Sequence, residues 1–328
     1  MSAHTFHAER PARTRPATAA APAPAGRPAF GHPSLTTTVP KEFVHRASIA
    51  EVLLTDWQRT GEDRFTVSAQ WPRGHSFFTP VEDRHDPLIA AETIRQSGLL
   101  LAHAEFAVPL DHSFVMHDLT LTVDPAHLLV GHAPASLAID VACCDITRRR
   151  GRLASLRYRT VLRRAGHVVA TGDASCACTP PAVYRRLRGE RHRTTPPLPL
   201  TAPTAPQTVG RTSPTDVVLT PLAEPGTWQL RVDTRHPVLF DHPVDHIPGM
   251  LLLEAARQAT SACLGRPSPP LSLSTAFTNY AELDAPCRIT ARRVPAPDHT
   301  PHETVLITCH QNDRPVFHST VTVATPTA

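Results

Sequence analysis

The feature that most constrains this chain is that it repeats itself. Residues 91–98 read AETIRQSG and residues 253–260 read LEAARQAT, so Glu92, Arg95 and Gln96 recur 162 positions later as Glu254, Arg257 and Gln258. The preceding loops correspond as well: Pro80-Val81-Glu82 matches Pro243-Val244-Asp245, and His75 matches His236. A chance E-x-x-R-Q pair would not bring its surroundings with it, so a duplicated unit is the simplest explanation. Each unit predicts a short strand, a His- and Pro-rich loop, one helix, then several strands. The helices are predicted over 86–105 and 248–263. The strands are predicted over 50–54, 65–71, 114–123, 137–146, 153–162 and 168–178, and then over 228–232, 272–283, 287–294, 304–311 and 316–323.

Proline punctuates this pattern. The chain of 328 residues has 35 Pro, about twice the common share, and much of it sits in two stretches. Residues 1–38 are Pro- and Ala-rich and predict a disordered tail, and residues 189–214 predict an extended, weakly packed linker. The folded units are then 39–188 and 215–328. With only 14 Gly the chain has neither G-x-G-x-x-G nor a P-loop, so a glycine fingerprint for nucleotides is absent. Lys41 is the one lysine, which makes Schiff-base chemistry improbable. Seven Cys without a C-x-x-C pair read as reduced thiols filling a core, not as a zinc site. No apolar run is long enough to span a bilayer and the N-terminus lacks an apolar signal core, so a soluble cytoplasmic protein is expected. A net charge of +4 does not imply nucleic acid, and no helix-turn-helix pattern is present. The run YRRLRGERHR at 184–193 holds much of the excess, either as a solvated linker or as a dock for an acidic partner.

The chemistry-bearing residues lie on the two helices. Glu92, Arg95 and Gln96 are spaced i, i+3, i+4 and share one face, as do Glu254, Arg257 and Gln258. Leu88, Ile89, Ala91, Leu99, Leu100 and Leu101 make the first helix apolar around most of its circumference, so it is enclosed, and Met250 to Leu253 do the same for the second. A carboxylate there must be paired or protonated. One reading is an ion pair that merely tolerates burial. The other is a site in which Glu accepts a proton and Arg holds an anion or a developing oxyanion. The second loop, RHPVLFDHPVDHIPG at 235–249, holds His236, His242 and His246, but Pro243 breaks the helix that a His-x-x-x-His metal pair would need. Pro248-Gly249 lets backbone N–H groups at a helix N-terminus approach a ligand.

HPVDHIPGMLLLEAARQA, at 242–259, resembles the loop and helix of hotdog-fold dehydratases and thioesterases. More closely, the chain resembles the A-factor biosynthesis (AfsA) hotdog family. The matching stretches are VPKEFVHRASIAEVLLTDW at 39–57, QWPRGHSFFTPVEDRHDPLIAAETIRQSG at 70–98, SCACTPPAVYRRLRG at 175–189 and the repeated helix. The resemblance covers nearly everything from Val39 onward and leaves out the proline-rich stretches. It implies an α+β fold, a tandem double hotdog in which each repeat wraps a central helix in an antiparallel sheet. It also implies transfer of a β-ketoacyl chain from acyl carrier protein to the hydroxyl of dihydroxyacetone phosphate, on the way to γ-butyrolactone signals. The family's helix acids and arginine match Glu92, Glu254 and Arg257. By analogy with hotdog dehydratases, whose sites span the dimer, His75 approaches Glu254 and His242 approaches Glu92.

The expected mechanism sets the thioester carbonyl at the helix N-terminus near Gly249. Glu254 or Glu92 takes the alcohol proton, Arg257 binds phosphate or the oxyanion, and Arg95, Gln96 and Gln258 line the site. No metal, nicotinamide or flavin is required. Two alternatives stay open: a hotdog thioesterase or dehydratase, and a non-enzymatic regulator that binds a lactone or acyl chain.

Overall fold

The computed structural model describes residues 36–192, 197–295 and 301–326. The expected tail therefore lies outside the described residues except for Thr36–Thr38. The first repeat contains β1 (Leu54–Gly61), β2 (Arg64–Trp71), α1 (Leu88–Ala104), β3 (Ser113–Val123), β4 (Ala135–Arg149), β5 (Arg152–Arg164), β6 (His167–Thr179) and a short α2 (Pro181–Arg188). The second contains β7 (Leu219–Pro221), β8 (Thr227–Leu230), α3 (Gly249–Leu264), β9 (Pro270–Phe277), β10 (Cys287–Val294), β11 (His302–Gln311) and β12 (Arg314–Ala324).

All twelve strands join one antiparallel sheet in the order β1-β2-β4-β5-β6-β3-β9-β12-β11-β10-β8-β7. Each half has the same internal order, and the halves meet at β3 and β9, where Leu121 faces Leu273 across the seam. The seam pairs β3 with β9, so neither of those edges is left open, and β1 and β7 remain as the outer edges. Alternation decides which side chains turn inward. β4 runs buried-exposed from Ala135 to Val141, and Cys176 and Cys178 of β6 both face the core, as C-x-C on a strand requires. The seven cysteines are all unpaired thiols.

The two long helices pack against this sheet and touch each other. Almost every residue of α1 is buried, as its apolar circumference predicts. Its close approach depends on two glycines. A Cβ on Gly98 would sit 2.3 Å from the Tyr158 ring, and one on Gly172 of β6 would sit 2.4 Å from Ile94 Cδ1. Either addition would push α1 off the sheet.

Three expectations need correcting. The first strand begins at Leu54, not 50; Ile49–Glu51 form a 3-10 turn and the polar 58–61 segment continues the strand along an edge. The described part of 189–214 includes two 3-10 turns, Gly189–His192 and Pro206–Val209, and is tied down. Leu198 N donates to Leu283 O, Thr204 N donates to Leu219 O, and Val209 and Arg211 are buried. The arginine run is not wholly a solvated linker either. Its first part is α2, where Arg188 is buried against Asp245 and Glu282 and lies 4.3 Å from the Tyr280 ring centroid.

Candidate active site

Each central helix carries its glutamate into an arginine clamp. Arg95 Nε donates to Glu92 Oε2 and its Nη2 to Oε1, both at 2.8 Å. A second arginine arrives from outside the helix: Arg46 Nε donates to Glu92 Oε1 at 3.1 Å and its Nη2 lies 2.6 Å away. Gln96 Nε2 adds a bond to the same oxygen at 2.7 Å. The second repeat builds the same thing. Arg257 Nε and Nη2 reach Glu254 at 2.9 and 2.6 Å, Arg211 Nε and Nη2 reach it at 2.8 and 2.7 Å, and Gln258 donates to Oε1. Each glutamine also fixes its chain's entry. Gln96 Oε1 accepts from Leu53 N, and Gln258 Oε1 accepts from Val218 N.

Arg46 and Arg211 were not singled out from the sequence. The signal that could have found them is a second echo. Val44-His45-Arg46-Ala47-Ser48 recurs 165 residues later as Val209-Gly210-Arg211-Thr212-Ser213, the later copy lying inside the proline-rich stretch. A buried carboxylate flanked by one arginine in sequence has acceptor capacity for another.

The clamps decide what the glutamates can do. Burial alone would raise their pKa values. For Glu92 the charges of Arg46 and Arg95, and for Glu254 those of Arg211 and Arg257, together with the donated hydrogen bonds, bring each down to about 2. Both oxygens of each carboxylate already accept from these donors, so neither is left free to face a substrate. The effect of each carboxylate is to hold two guanidinium groups in fixed positions. Arg95 Nη1 and Arg257 Nη1 have no hydrogen-bond partner among the described residues, although neither is sealed from solvent. The Arg95 side chain is 20% exposed and that of Arg257 8%.

The loops cross between repeats. Phe77 O accepts from Arg211 Nη1 at 2.6 Å, and in mirror fashion Val238 O accepts from Arg46 Nη1 at 3.1 Å. The histidines at the head of each loop hold these carbonyls in place. His75 Nδ1 accepts from Phe77 N and Phe78 N, and His236 Nδ1 accepts from Val238 N and Leu239 N. His75 therefore does not touch Glu254. It lies 3.4 Å from Glu51 and reaches Glu254 only through Phe77 O and Arg211. Among the described residues His242 makes no hydrogen bond or ion pair with Glu92, but its neighbour Asp241 accepts from Ala47 N and Ser48 N, beside Arg46. The His242 charge is felt at His45.

The helix N-termini differ. Asp86 Oδ1 caps α1 by accepting from Leu88 N, whereas α3 begins at Gly249 behind Pro248 with no side-chain cap. A Cβ on Gly249 would lie 3.2 Å from the Phe277 ring, a tight contact that the ring would have to shift to admit. Asp86 is buried, with Oδ2 3.8 Å from Arg211 Nη1; burial pushes its pKa up against the pull of Arg211 and Arg257. The loop histidines His236, His242 and His246 turn to different partners, and no metal-holding cluster of three His, Cys, Asp or Glu exists among the described residues. No described helix is long and apolar enough to cross a membrane.

Comparison with known proteins agrees with this architecture. The model of the A-factor biosynthesis hotdog domain matches twice, at residues 31–180 and 192–326. A 2-oxo-3-(phosphooxy)propyl 3-oxoalkanoate synthase of Streptomyces virginiae is 55% identical over 284 residues, covering 86% of this chain and 96% of that protein. One of the same description from Streptomyces coelicolor is 44% identical over 288 residues, 86% of this chain and 90% of that protein. Among solved structures, one described as a thioesterase from Novosphingobium aromaticivorans aligns at TM-score 0.50 and 12% identity, over 83% of this chain and 98% of that one. At that identity the likeness speaks for the fold, a double hotdog, and not for the reaction. Twofold coverage by the family model, and relatives this similar over most of their length, establish that the chain belongs to the A-factor biosynthesis hotdog family.

Proposed function

We propose that this protein is an acyltransferase that esterifies the hydroxyl of dihydroxyacetone phosphate with a β-ketoacyl group, a step toward γ-butyrolactone signalling molecules. The product named for its relatives is the ester of a 3-oxoalkanoic acid with a 2-oxo-3-phosphooxypropyl group, which is dihydroxyacetone phosphate less its hydroxyl group. The observation that carries the reading is the fixed guanidinium at a partly open position. Arg95 is held by Glu92 through Nε and Nη2, leaving Nη1 to bind a phosphate or a developing oxyanion. Glu92 and Glu254 serve in this reading as anchors of arginine, not as bases. Gln96 and Gln258 brace them, and Arg257 forms the matching clamp in the second half. The uncapped start of α3 at Gly249 supplies free backbone N–H groups for the thioester carbonyl oxygen.

The donor is a β-ketoacyl chain on acyl carrier protein. Carrier proteins are acidic, and α2 presents exposed Arg185, Arg186 and Leu187 while Arg188 and Tyr184 bind Asp245 in the loop that leads into α3. A carrier docked there would sit at the head of that loop. The test is mass spectrometry of purified protein with a carrier-bound β-ketoacyl thioester, with and without dihydroxyacetone phosphate. An acylated phosphate, or the butenolide phosphate formed from it by ring closure, is expected only with acceptor. Free β-keto acid at the same rate either way would make the protein a thioesterase. Unchanged donor would point to a binding protein.

A further inference from the structure

Beside the first clamp lies a histidine pair that the second repeat lacks. His103, on the last turn of α1, has Nδ1 2.7 Å from Val108 O. A carbonyl can only accept, so this nitrogen carries the proton and His103 Nε2 presents a lone pair. His45 Nε2 lies 2.8 Å from that lone pair and must donate to it. The His45 proton is thereby placed on Nε2, and its Nδ1 is left as a bare lone pair with no partner among the described residues. The ring is held edge-on to Phe114 at 5.3 Å and tilted on His103 at 5.0 Å.

The backbone on either side of His45 belongs to the clamp. Val44 O is 3.4 Å from Arg95 Nη2, and Arg46 is on Glu92. His45 itself is in the left-handed region, with φ 51° and ψ 54°. A bulky residue at positive φ is costly and tends to persist where a site needs it. The corresponding positions in the second repeat are Gly210 and Gly265. Burial, then His103, Arg95 and His242, hold His45 neutral, with its pKa near 3. A phosphate dianion bound at Arg95 would offset part of that pull and strengthen the base when substrate is present.

Resting on the acyltransfer reading above, we propose that the first repeat is the working half and that His45 Nδ1, oriented by His103, is its general base. The acceptor oxygen forms the new C–O bond to the thioester carbonyl while its proton passes to Nδ1. As the tetrahedral intermediate collapses and the C–S bond breaks, the imidazolium returns that proton to the departing thiolate sulfur. His45 is then a catalytic residue and His103 a positioning residue.

The experiment compares wild type, His45→Ala and His103→Gln, each first shown folded by circular dichroism, in the carrier-bound donor assay with dihydroxyacetone phosphate. His45→Ala is expected to lose about 100- to 10,000-fold in kcat with KM for the acceptor little changed, and added imidazole should restore part of the rate. His103→Gln should lose less and displace the acidic limb of the pH–kcat profile. NMR of nitrogen-labelled histidine, read without substrate, should show His45 protonated at Nε2 and bare at Nδ1 in wild type, with the preference lost in His103→Gln. A folded His45→Ala with kcat within twofold of wild type would overturn the proposal, as would a His45 protonated at Nδ1. If wild type only hydrolyses the donor, the acyltransfer reading falls while His45 is still judged by its effect on hydrolysis. If wild type does neither, both fall.

Discussion

The two clamps use the same four side chains, a glutamate, two arginines and a glutamine, in the same geometry, yet their surroundings differ. Around Glu254, Arg257 and Arg211 are almost wholly enclosed, and the positions flanking them are Gly210 and Gly265. Around Glu92, Arg95 is partly open, and His45 and His103 occupy those positions. The first clamp also receives Asp241 from the second repeat, bonded to Ala47 N and Ser48 N. A duplicated core thus keeps the parts that hold the helices to their entry loops. The shared carboxylate holds two arginines in both halves, and the differences lie in what stands next to it.

The largest effect expected from this contrast is on stability. Glu254→Gln leaves Arg211 and Arg257 buried and uncompensated, which costs about 3–5 kcal/mol. Glu92→Gln should cost less, because Arg95 can hydrate through its open side. Urea denaturation of the two variants orders them, and an equal or larger loss for Glu92→Gln would remove the distinction in exposure. The acid limb gives the same information without mutation. Both glutamates have folded pKa values near 2 against an ordinary 4.5, so their stabilisation is complete above about 4.5 and is lost as pH falls toward 2. Each contributes about 3 kcal/mol across that window. Wild type and Glu254→Gln should therefore converge in stability by pH 2, and parallel curves would contradict the assignment.

Next in size is binding. Arg95→Lys keeps a charge but loses the fork that holds Nη1 in place, so KM for dihydroxyacetone phosphate should rise about ten- to a hundredfold. Steady-state kinetics with the acceptor varied checks this, and an unchanged KM would move the phosphate elsewhere.

How much of this was legible beforehand follows from where each residue's partners lie in sequence. Glu92, Arg95 and Gln96 share a helix face by spacing alone, so the inner half of each clamp could be read directly. Arg46 and Arg211 come from segments more than forty residues upstream, and one of them sits among prolines that read as linker. Composition averages over a stretch and hides a single buried arginine. Likewise, α2 looked like a charged run because its pairing with Asp245 and Glu282 is long-range. The loop histidines were found as residues but not in their roles. His75 and His236 bind their own backbone two and three residues on, a local contact that sequence analogy with a dehydratase passes over.

The smallest effect probes the surroundings of the two clamps directly through the backbone. His45 and Gly210 both occupy the left-handed region, at φ 51° and 68°. Glycine accepts that conformation freely, while a residue with a Cβ pays about 1 kcal/mol for it. Gly210→Ala should therefore lose about 1 kcal/mol, and somewhat more because its Cβ would stand 3.4 Å from Arg257 Nη1. At the other site the sign reverses: His45→Gly should be more stable than His45→Ala by about the same amount, since both lose the ring and only one keeps the strain. Thermal or urea denaturation of the three variants measures it. If His45→Gly is no more stable than His45→Ala, the backbone there is unstrained, and a histidine at that position no longer needs a functional reason to persist.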